Sequence, residues 1–505
     1  MWTTHLRSSF PRRGIRTRLA VAIVGAVVVL LAVVAGPAAA AGSSLIHLST
    51  DPYTNSFSAH QTEVEPDSLA AGSTIVSAFQ VGRVFIGASA NIGWATSRDG
   101  GRTWQHGFLP KTTTQASPPG SYARASDASV AWSARDHTWL ISYLVAPSVT
   151  SNAIVDLLVS RSRDGIHWGP PITVAARNEF LDKNWTTCDN SPASPFYGNC
   201  YTELEVPTEN GIVMMTTSKD AGQSWSALEP TADNLIGVGG QPVVQPDGTV
   251  IVPIEAFGAQ TTISAFQSAD GGASWSASTV IAAVSRHTDA ANIRSGGALP
   301  SAEIDRSGRV YVVWSDCRFE AGCPANDLVL SSSADGIAWT APARVPIDPV
   351  GGNVDHFTPG LGVDPTTAGG RAHLALAYYY YPQSDCTLDT CELNVGYVSS
   401  RDGGRGWSRP THLAGPMKVG WLAPTASGLM AGDYISTSIV PGTPKAFPLF
   451  AVAAQPTGSL LHEDMFTASV RVTGGPVGGD RHPEPSTSTS DFPGRGHAHR
   501  HRLLT

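Results

Sequence analysis

Several acidic residues stand where short segments of small or apolar residues begin, and these are the first candidates for chemistry. Glu65-Pro66-Asp67 opens one such segment, Asp127 another and Asp433-Tyr434 a third. Glu303 interrupts a strand-like stretch, with Ser301-Ala302 before it and Ile304 after it. An acid on an inward-facing strand needs a partner or a task, because an unpaired buried charge is costly. Most glycoside hydrolysis needs two carboxyl groups at a set separation. A tyrosine can act as a nucleophile where a base adjoins it. Glu303, Asp67, Asp127 and Tyr434 are therefore the catalytic candidates. The structural alternative for Glu303 is a carboxyl bonded to backbone amides or an arginine; for the aspartates it is a turn or strand cap.

A second set suits substrate binding. Phe180-Leu-Asp182-Lys183-Asn184-Trp185 brings an acid, a base and an indole together. An exposed indole beside paired polar groups suits a sugar, whose apolar face stacks on rings. Trp185 could instead fill a core. Asp182, Lys183 and Trp185 are taken as binding candidates, with His356 beside Asp355, Asp433, and Arg318. Arg318, in Ser315-Asp316-Cys317-Arg318, could simply pair with Asp316.

The elements that must position these residues are repeated. Six segments share one pattern: Ser97 to Trp104, Ser162 to Trp168, Ser218 to Trp225, Ser268 to Trp275, Ser333 to Trp339 and Ser400 to Trp407. Each holds an aspartate two residues after the serine, at Asp99, Asp164, Asp220, Asp270, Asp335 and Asp402. An Asp at a turn accepts bonds from the amides that follow it, and Gly supplies the positive φ. Each copy predicts a self-stabilised turn between two strands. A fainter repeat of short strands precedes each copy, which predicts four-stranded blades in a radial array. After the sixth copy, three strand-like segments follow without a box, near Asp433–Ile439, Phe447–Val452 and Met465–Val470. With Leu45–Leu48 from the other end they complete one more blade, so seven blades are expected, with six as the alternative. Closure removes exposed sheet edges.

Composition agrees. The 505 residues include 51 Gly and 36 Pro, and only 15% are charged. This suits many short strands and tight turns and argues against long helices. The first 41 residues hold five arginines and no acid, so without them the net charge of −8 becomes −13. An acidic chain is repelled by phosphate backbones, which excludes nucleic acid as the expected partner. The basic stretch, the apolar run Leu19–Val34 and the Ala-rich string to Ala41 predict a cleaved signal peptide over 1–41, with an uncleaved anchor as the alternative. A secreted or cell-surface protein follows, with no membrane span after cleavage. The propeller is expected over 44–472, and the Gly-, Pro-, Ser- and His-rich residues 474–505 are expected as a disordered tail. Six cysteines fall in three close pairs, Cys188/Cys200, Cys317/Cys323 and Cys386/Cys391. In an exported protein, local disulfides are the simplest pairing. Neither a cofactor nor a metal is expected, and the chain is expected as a monomer.

The six repeated segments resemble the Asp-boxes, or BNR repeats, of the sialidase superfamily, from about residue 65 to 470. The resemblance implies a propeller whose boxes lie on the rim away from the active site, so their six aspartates are expected to be structural. It further implies an Arg-Ile-Pro element on the first strand, an arginine cluster gripping a carboxylate, a Tyr nucleophile paired with Glu, and an Asp acid/base. Here the first-strand element reads Val64-Glu65-Pro66-Asp67, with acids where the arginine belongs. Glu303, Arg318, Arg371 and a tyrosine within Tyr378 to Tyr381 follow in the family's order. The expected function is a glycoside hydrolase acting on an extracellular glycan, with a substrate other than sialic acid suggested by the absent arginine. The alternative is a non-catalytic carbohydrate- or protein-binding propeller.

Overall fold

The computed structural model describes residues 44–474. The expected export segment and all but the first residue of the expected tail lie outside the described residues. Within them the chain is all-β, with thirty-three short strands and three single 3-10 turns. No helix there is long and apolar enough to cross a membrane.

Antiparallel up-and-down pairing repeats along the chain: Asp182–Cys188 with Cys200–Val206 and Ile212–Ser218, then Ser301–Ile304 with Val310–Asp316 and Asp327–Ser333, then Asp355–Val363 with Leu374–Tyr381 and Glu392–Ser400. Two of the second strands, Cys200–Val206 and Val310–Asp316, are buried at every position, and in Leu374–Tyr381 only Tyr380 is half-buried. A strand covered on both faces reads as an unbroken apolar run, and here neighbouring sheets cover it. The core is accordingly divided among the gaps between sheets. One such cluster gathers Val76, Ile92, Val130, Tyr143 and Trp168.

The result is a β-propeller, but its strands divide into five sheets of four or more, of 13, 4, 5, 4 and 4 strands. The expectation of seven separate blades, or six, is corrected on this point. A single pair, Ser89 with Ala125, joins the first two box-bearing units. Parallel pairs between His60–Ala71 and Leu460–Ala468 join both chain ends to them. These links fuse what separate blades would keep apart into one 13-stranded sheet. Leu45–His47 also pairs with Leu460–Ala468, so the first described strand lies on the last long one.

Innermost strands meet through side chains. Asp67 accepts from the Val130 amide (2.7 Å) and Ser129 from the Thr186 amide (3.1 Å). Gln241 accepts from Ala302 (2.8 Å), Ser301 from Leu361 (2.9 Å) and Ser436 from Ser68 (3.1 Å). Each seam thus satisfies a backbone donor that no sheet ladder reaches. These bonds fix neighbouring units at the axis, where the site residues are found.

In all six Ser-x-Asp turns the aspartate Oδ1 accepts from amides that follow it. Asp99 Oδ1 accepts from the Arg102 and Thr103 amides, both at 2.9 Å, while Ser97 Oγ accepts from the Gly101 amide at 2.9 Å. Asp164, Asp220, Asp270, Asp335 and Asp402 repeat the bonds to following amides. The first turn also packs against a late strand. Gly101 has φ +79°, and a Cβ there would lie 1.9 Å from the Phe447 ring of Lys445–Ala453. Gly101→Ala is expected to cost about 1–3 kcal/mol through overpacking, read as a lower urea midpoint at unchanged slope. An unaltered midpoint would show that this contact holds nothing.

The three cysteine pairs form the local disulfides expected: Cys188–Cys200, Cys317–Cys323 and Cys386–Cys391.

Candidate functional site

At the start of several inner strands the backbone makes the same departure. Glu65 (φ 56°), Asp127 (47°), Lys183 (41°) and Thr358 (49°) are left-handed. Each falls where the pairing with the next strand slips: between Val64 and Asp67, Ser126 and Ser129, Asp182 and Asn184, and Phe357 and Gly360. Such bulges re-aim a side chain. Left-handed non-glycine residues cost of order 1–3 kcal/mol each and gather at functional sites. Thr358 is the most strained in kind, because β-branched residues rarely adopt positive φ.

The bulges build an ionic cluster at the axis, on the end away from the Ser-x-Asp turns. Lys183 Nζ donates to Asp127 Oδ1 at 2.9 Å and to Asp433 Oδ2 at 2.8 Å, with Glu65 Oε1 at 3.6 Å. Arg294 Nε donates to Asp433 Oδ1 at 2.8 Å, and its Nη2 to Oδ2. Glu65 accepts from the Asp433 amide at 3.2 Å and from the Gln80 amide group, and Arg83 donates to Gln80 Oε1 at 2.6 Å. Ser126 Oγ donates to Asp127 Oδ2. Asn184 holds the strand start by donating to the Asp127 carbonyl at 2.6 Å.

The environment separates the protonation states of these acids. Burial would raise Asp433 and Asp127, but the Lys183 charge more than offsets it, with Arg294 aiding at Asp433, so both lie below the usual carboxylate range. Burial raises Asp182 to about 6, and the Asp127 charge pushes the same way. Burial likewise takes Glu65 to about 7, with Lys183 opposing. Lys183 is itself held well above its ordinary value: burial disfavours the cation, and Asp127, Asp433 and Glu65 outweigh that.

Beside the cluster lies a cavity of about 300 Å³, lined among others by Arg83, Arg124, Asp127, Asn152, Asp182 and Arg294. Its arginines differ in what they have left to offer. Arg124 donates to the Ser148, Gly87 and Ser151 carbonyls and to Asn152, so it ties down the surrounding loops. Arg294 Nη1 bonds no protein atom among the described residues, whereas Arg83 is buried and its Nη1 donates to Gln80 and to the Ala88 carbonyl. Guanidinium donors facing a cavity suit a carboxylate or sulfate.

Below the cluster the axis closes. The Trp185 and Tyr434 rings meet edge to face, 5.4 Å between centroids, and Lys183 Nζ lies 5.2 Å from the Tyr434 ring centre. With Leu299, Pro300 and Pro359 they leave a gap of about 20 Å³.

The candidate residues from the sequence therefore separate into groups. Asp127, Asp182, Lys183 and Asp433 come together in the cluster. Trp185 and Tyr434 form the closure beneath it, and burial raises the Tyr434 hydroxyl well above its ordinary value. Glu303 and Asp67 lie beyond the closure, on a different cavity. Arg318 is off the axis: its Nε donates to Asp316 at 2.9 Å, and Nη2 bonds the same carboxylate and the Ala283 carbonyl. His356 is buried, and its Nδ1 lies 3.2 Å from the Asn326 carbonyl. Asp327, Asp348 and His356 bring ligand atoms within 4.8 Å of one another, but the Arg344 guanidinium already bonds both carboxylates, at 2.7 and 2.6 Å. Arg294, Arg83 and Gln80 did not stand out in the sequence. Arg294 had one signal, a lone cation ahead of Gly296-Gly297.

No family model and no curated protein sequence matches the chain. Solved structures with similar architecture include a protein of unknown function from Dyadobacter fermentans (11% identity, 69% of this chain and 95% of that one, TM-score 0.42). A PL25 ulvan lyase, a polysaccharide lyase, matches at 11% identity over 85% of this chain and 97% of its own, with a TM-score of 0.46. Trypanosoma rangeli sialidase matches at 12% identity over 85% of this chain and 59% of its own, with a TM-score of 0.41.

Proposed function

We propose that this propeller is a glycoside hydrolase acting on an acidic extracellular glycan in the cavity beside the ionic cluster. One observation carries the reading: two carboxyl groups pushed apart in proton affinity, Asp182 raised to about 6 and Asp127 held below the usual carboxylate range, line the same cavity as the Arg294 guanidinium. Environments that push two acids apart assign their roles. Asp182 donates a proton to the leaving oxygen, and Asp127 accepts one from water. Arg294 Nη1 binds the substrate's anionic group. The sequence carries Glu65 where the sialidase resemblance would put an arginine, which is the ground for a sugar other than sialic acid.

A second reading rests on a different observation. Lys183 sits on both Asp127 and Asp433, and Trp185 with Tyr434 closes the axis beneath. A compensated cluster above a closed axis suits a propeller that binds glycans without cleaving them. The deciding experiment incubates the secreted protein with polygalacturonate, hyaluronan, a fluorogenic sialoside and neutral xyloglucan, reading new reducing ends. Cleavage of an acidic polymer with xyloglucan left intact is expected. No cleavage of any of them, with retention on an acidic-glycan column, replaces the hydrolase by the binding reading.

A further inference from the structure

The larger cavity of the axis opens on the opposite end. It encloses about 770 Å³, and Ala70, Ala71, Asn190, Pro246 and Arg306 form part of its mouth. These belong to the turns that touch the Ser-x-Asp loops: Gln245, next to Pro246, donates to the carbonyls of Gly308 and Ala334, the latter beside Asp335. The Trp185 and Tyr434 closure separates this cavity from the ionic cluster.

Its deep wall is polar but carries almost no free charge. Ser68, Ser436 and Ser438 bond one another at 2.9 and 2.8 Å. Gln241 and Ser301 stand beside them. Asp67 is tied to the Ser68 and Val130 amides, both at 2.7 Å. Glu303 faces the cavity, and its side chain makes no hydrogen bond to another side chain among the described residues. Burial raises it to about 8, and Asp67 likewise to about 7. Both are thus largely neutral carboxyls at mildly acidic pH, able to donate as well as accept. Trp132 and Trp185 also line the space.

We infer that this cavity is a second carbohydrate site, separate from the ionic one, that takes a neutral sugar unit among Glu303, Gln241 and the Ser68–Ser436–Ser438 hydroxyls. Three features select that ligand class. Hydroxyl, amide and neutral carboxyl groups match the mixed donors and acceptors of a polyol. Arg306 at the mouth is the only cation lining the cavity among the described residues, which disfavours phosphate or sulfate. Among the described residues, Asp67 and Glu303 join no third acid or histidine at ligand spacing, as a divalent ion would need. The indoles offer a face for the sugar's apolar side.

The test titrates the full chain with methyl glucoside, methyl galactoside, methyl mannoside and methyl xyloside, by saturation-transfer NMR at pH 6. Saturable binding of at least one is expected. It should persist in Asp182→Asn, on the ionic face, and weaken at least about tenfold in Glu303→Ala and in Ser438→Leu, which fills the cavity. Near-UV circular dichroism checks that each variant folds; if Ser438→Leu does not, Glu303→Ala decides. Three results would overturn the inference: no saturable binding of any glycoside, binding lost in Asp182→Asn but kept in Glu303→Ala, or binding seen only with added calcium. The glycan-cleavage reading can fail without touching this one, since the two sites share no tested residue.

Discussion

Lys183→Met is expected to destabilise the protein by about 3–5 kcal/mol, the usual cost of removing one partner from a buried charge pair. The magnitude follows from what the ammonium holds. The Lys183 side chain is only 11% exposed, and it is shared by Asp127 and Asp433, which are 8% and 6% exposed. Methionine fills the space but leaves Asp127 with the Ser126 hydroxyl as its only side-chain donor. Asp433 keeps Arg294 and suffers less. The pH dependence gives an independent check. In the wild type Asp127 is depressed below its unfolded value, so its contribution is present above that value and lost as pH falls through the folded one. Without the ammonium, burial outweighs the Ser126 hydrogen bond and Asp127 becomes a raised acid. The folded state then holds a proton that the unfolded state has released, and stability falls as pH rises. Urea midpoints at pH 5 and pH 8 should therefore diverge more in Lys183→Met than in the wild type. A loss below about 1 kcal/mol, the level of an exposed pair, would mean that water reaches the cluster freely.

Asp182→Asn should lower glycan cleavage by at least about a hundredfold, the lower end of what a general acid contributes. The side chain is nearly isosteric, and its role in the fold is a bond to the Lys183 amide at 3.0 Å, which the Asn oxygen can also accept. The variant should therefore fold and bind as before. The wild-type profile should be flat below pH 6 and fall above it, because an acid raised to about 6 loses its proton there. Asp127, below the usual carboxylate range, stays ionised across that window. The falling limb should vanish with Asp182. A profile with its limb intact in Asp182→Asn would move the proton donor elsewhere, with Glu65 next in line.

The architecture was legible in the sequence because its signal is local. Each Ser-x-Asp turn satisfies its own amides within six residues, so six copies could be read without knowing what surrounds them. The number of blades was not legible. It depends on single cross-links such as Ser89 with Ala125, which carry no motif. The site was half legible. Asp127 and Asp433 were found because acids at strand starts are unusual, and Lys183 because it stands between an acid and an indole, although nothing local said that 250 residues of chain would fold to place Lys183 on Asp433. Glu303 and Asp67 were grouped with them because an inner strand has two ends, and sequence position does not say toward which end a side chain opens. Arg294 and Arg83 were missed because a single arginine in a loop or at a strand end is an ordinary surface feature until its partners are known.

The left-handed bulges at Glu65, Asp127, Lys183 and Thr358 have a consequence for how such a molecule can change. One backbone device, repeated around the axis, holds an acid, a base or a hydroxyl in the same pose. The conformational penalty belongs to the slot and not to its occupant. Charge at the axis is therefore written in a small alphabet of side chains on a fixed frame, and drift at these positions can reassign it while every strand keeps its register. Gly239, also left-handed at +68°, marks a blank character in that alphabet, since a side chain there would run into Leu299.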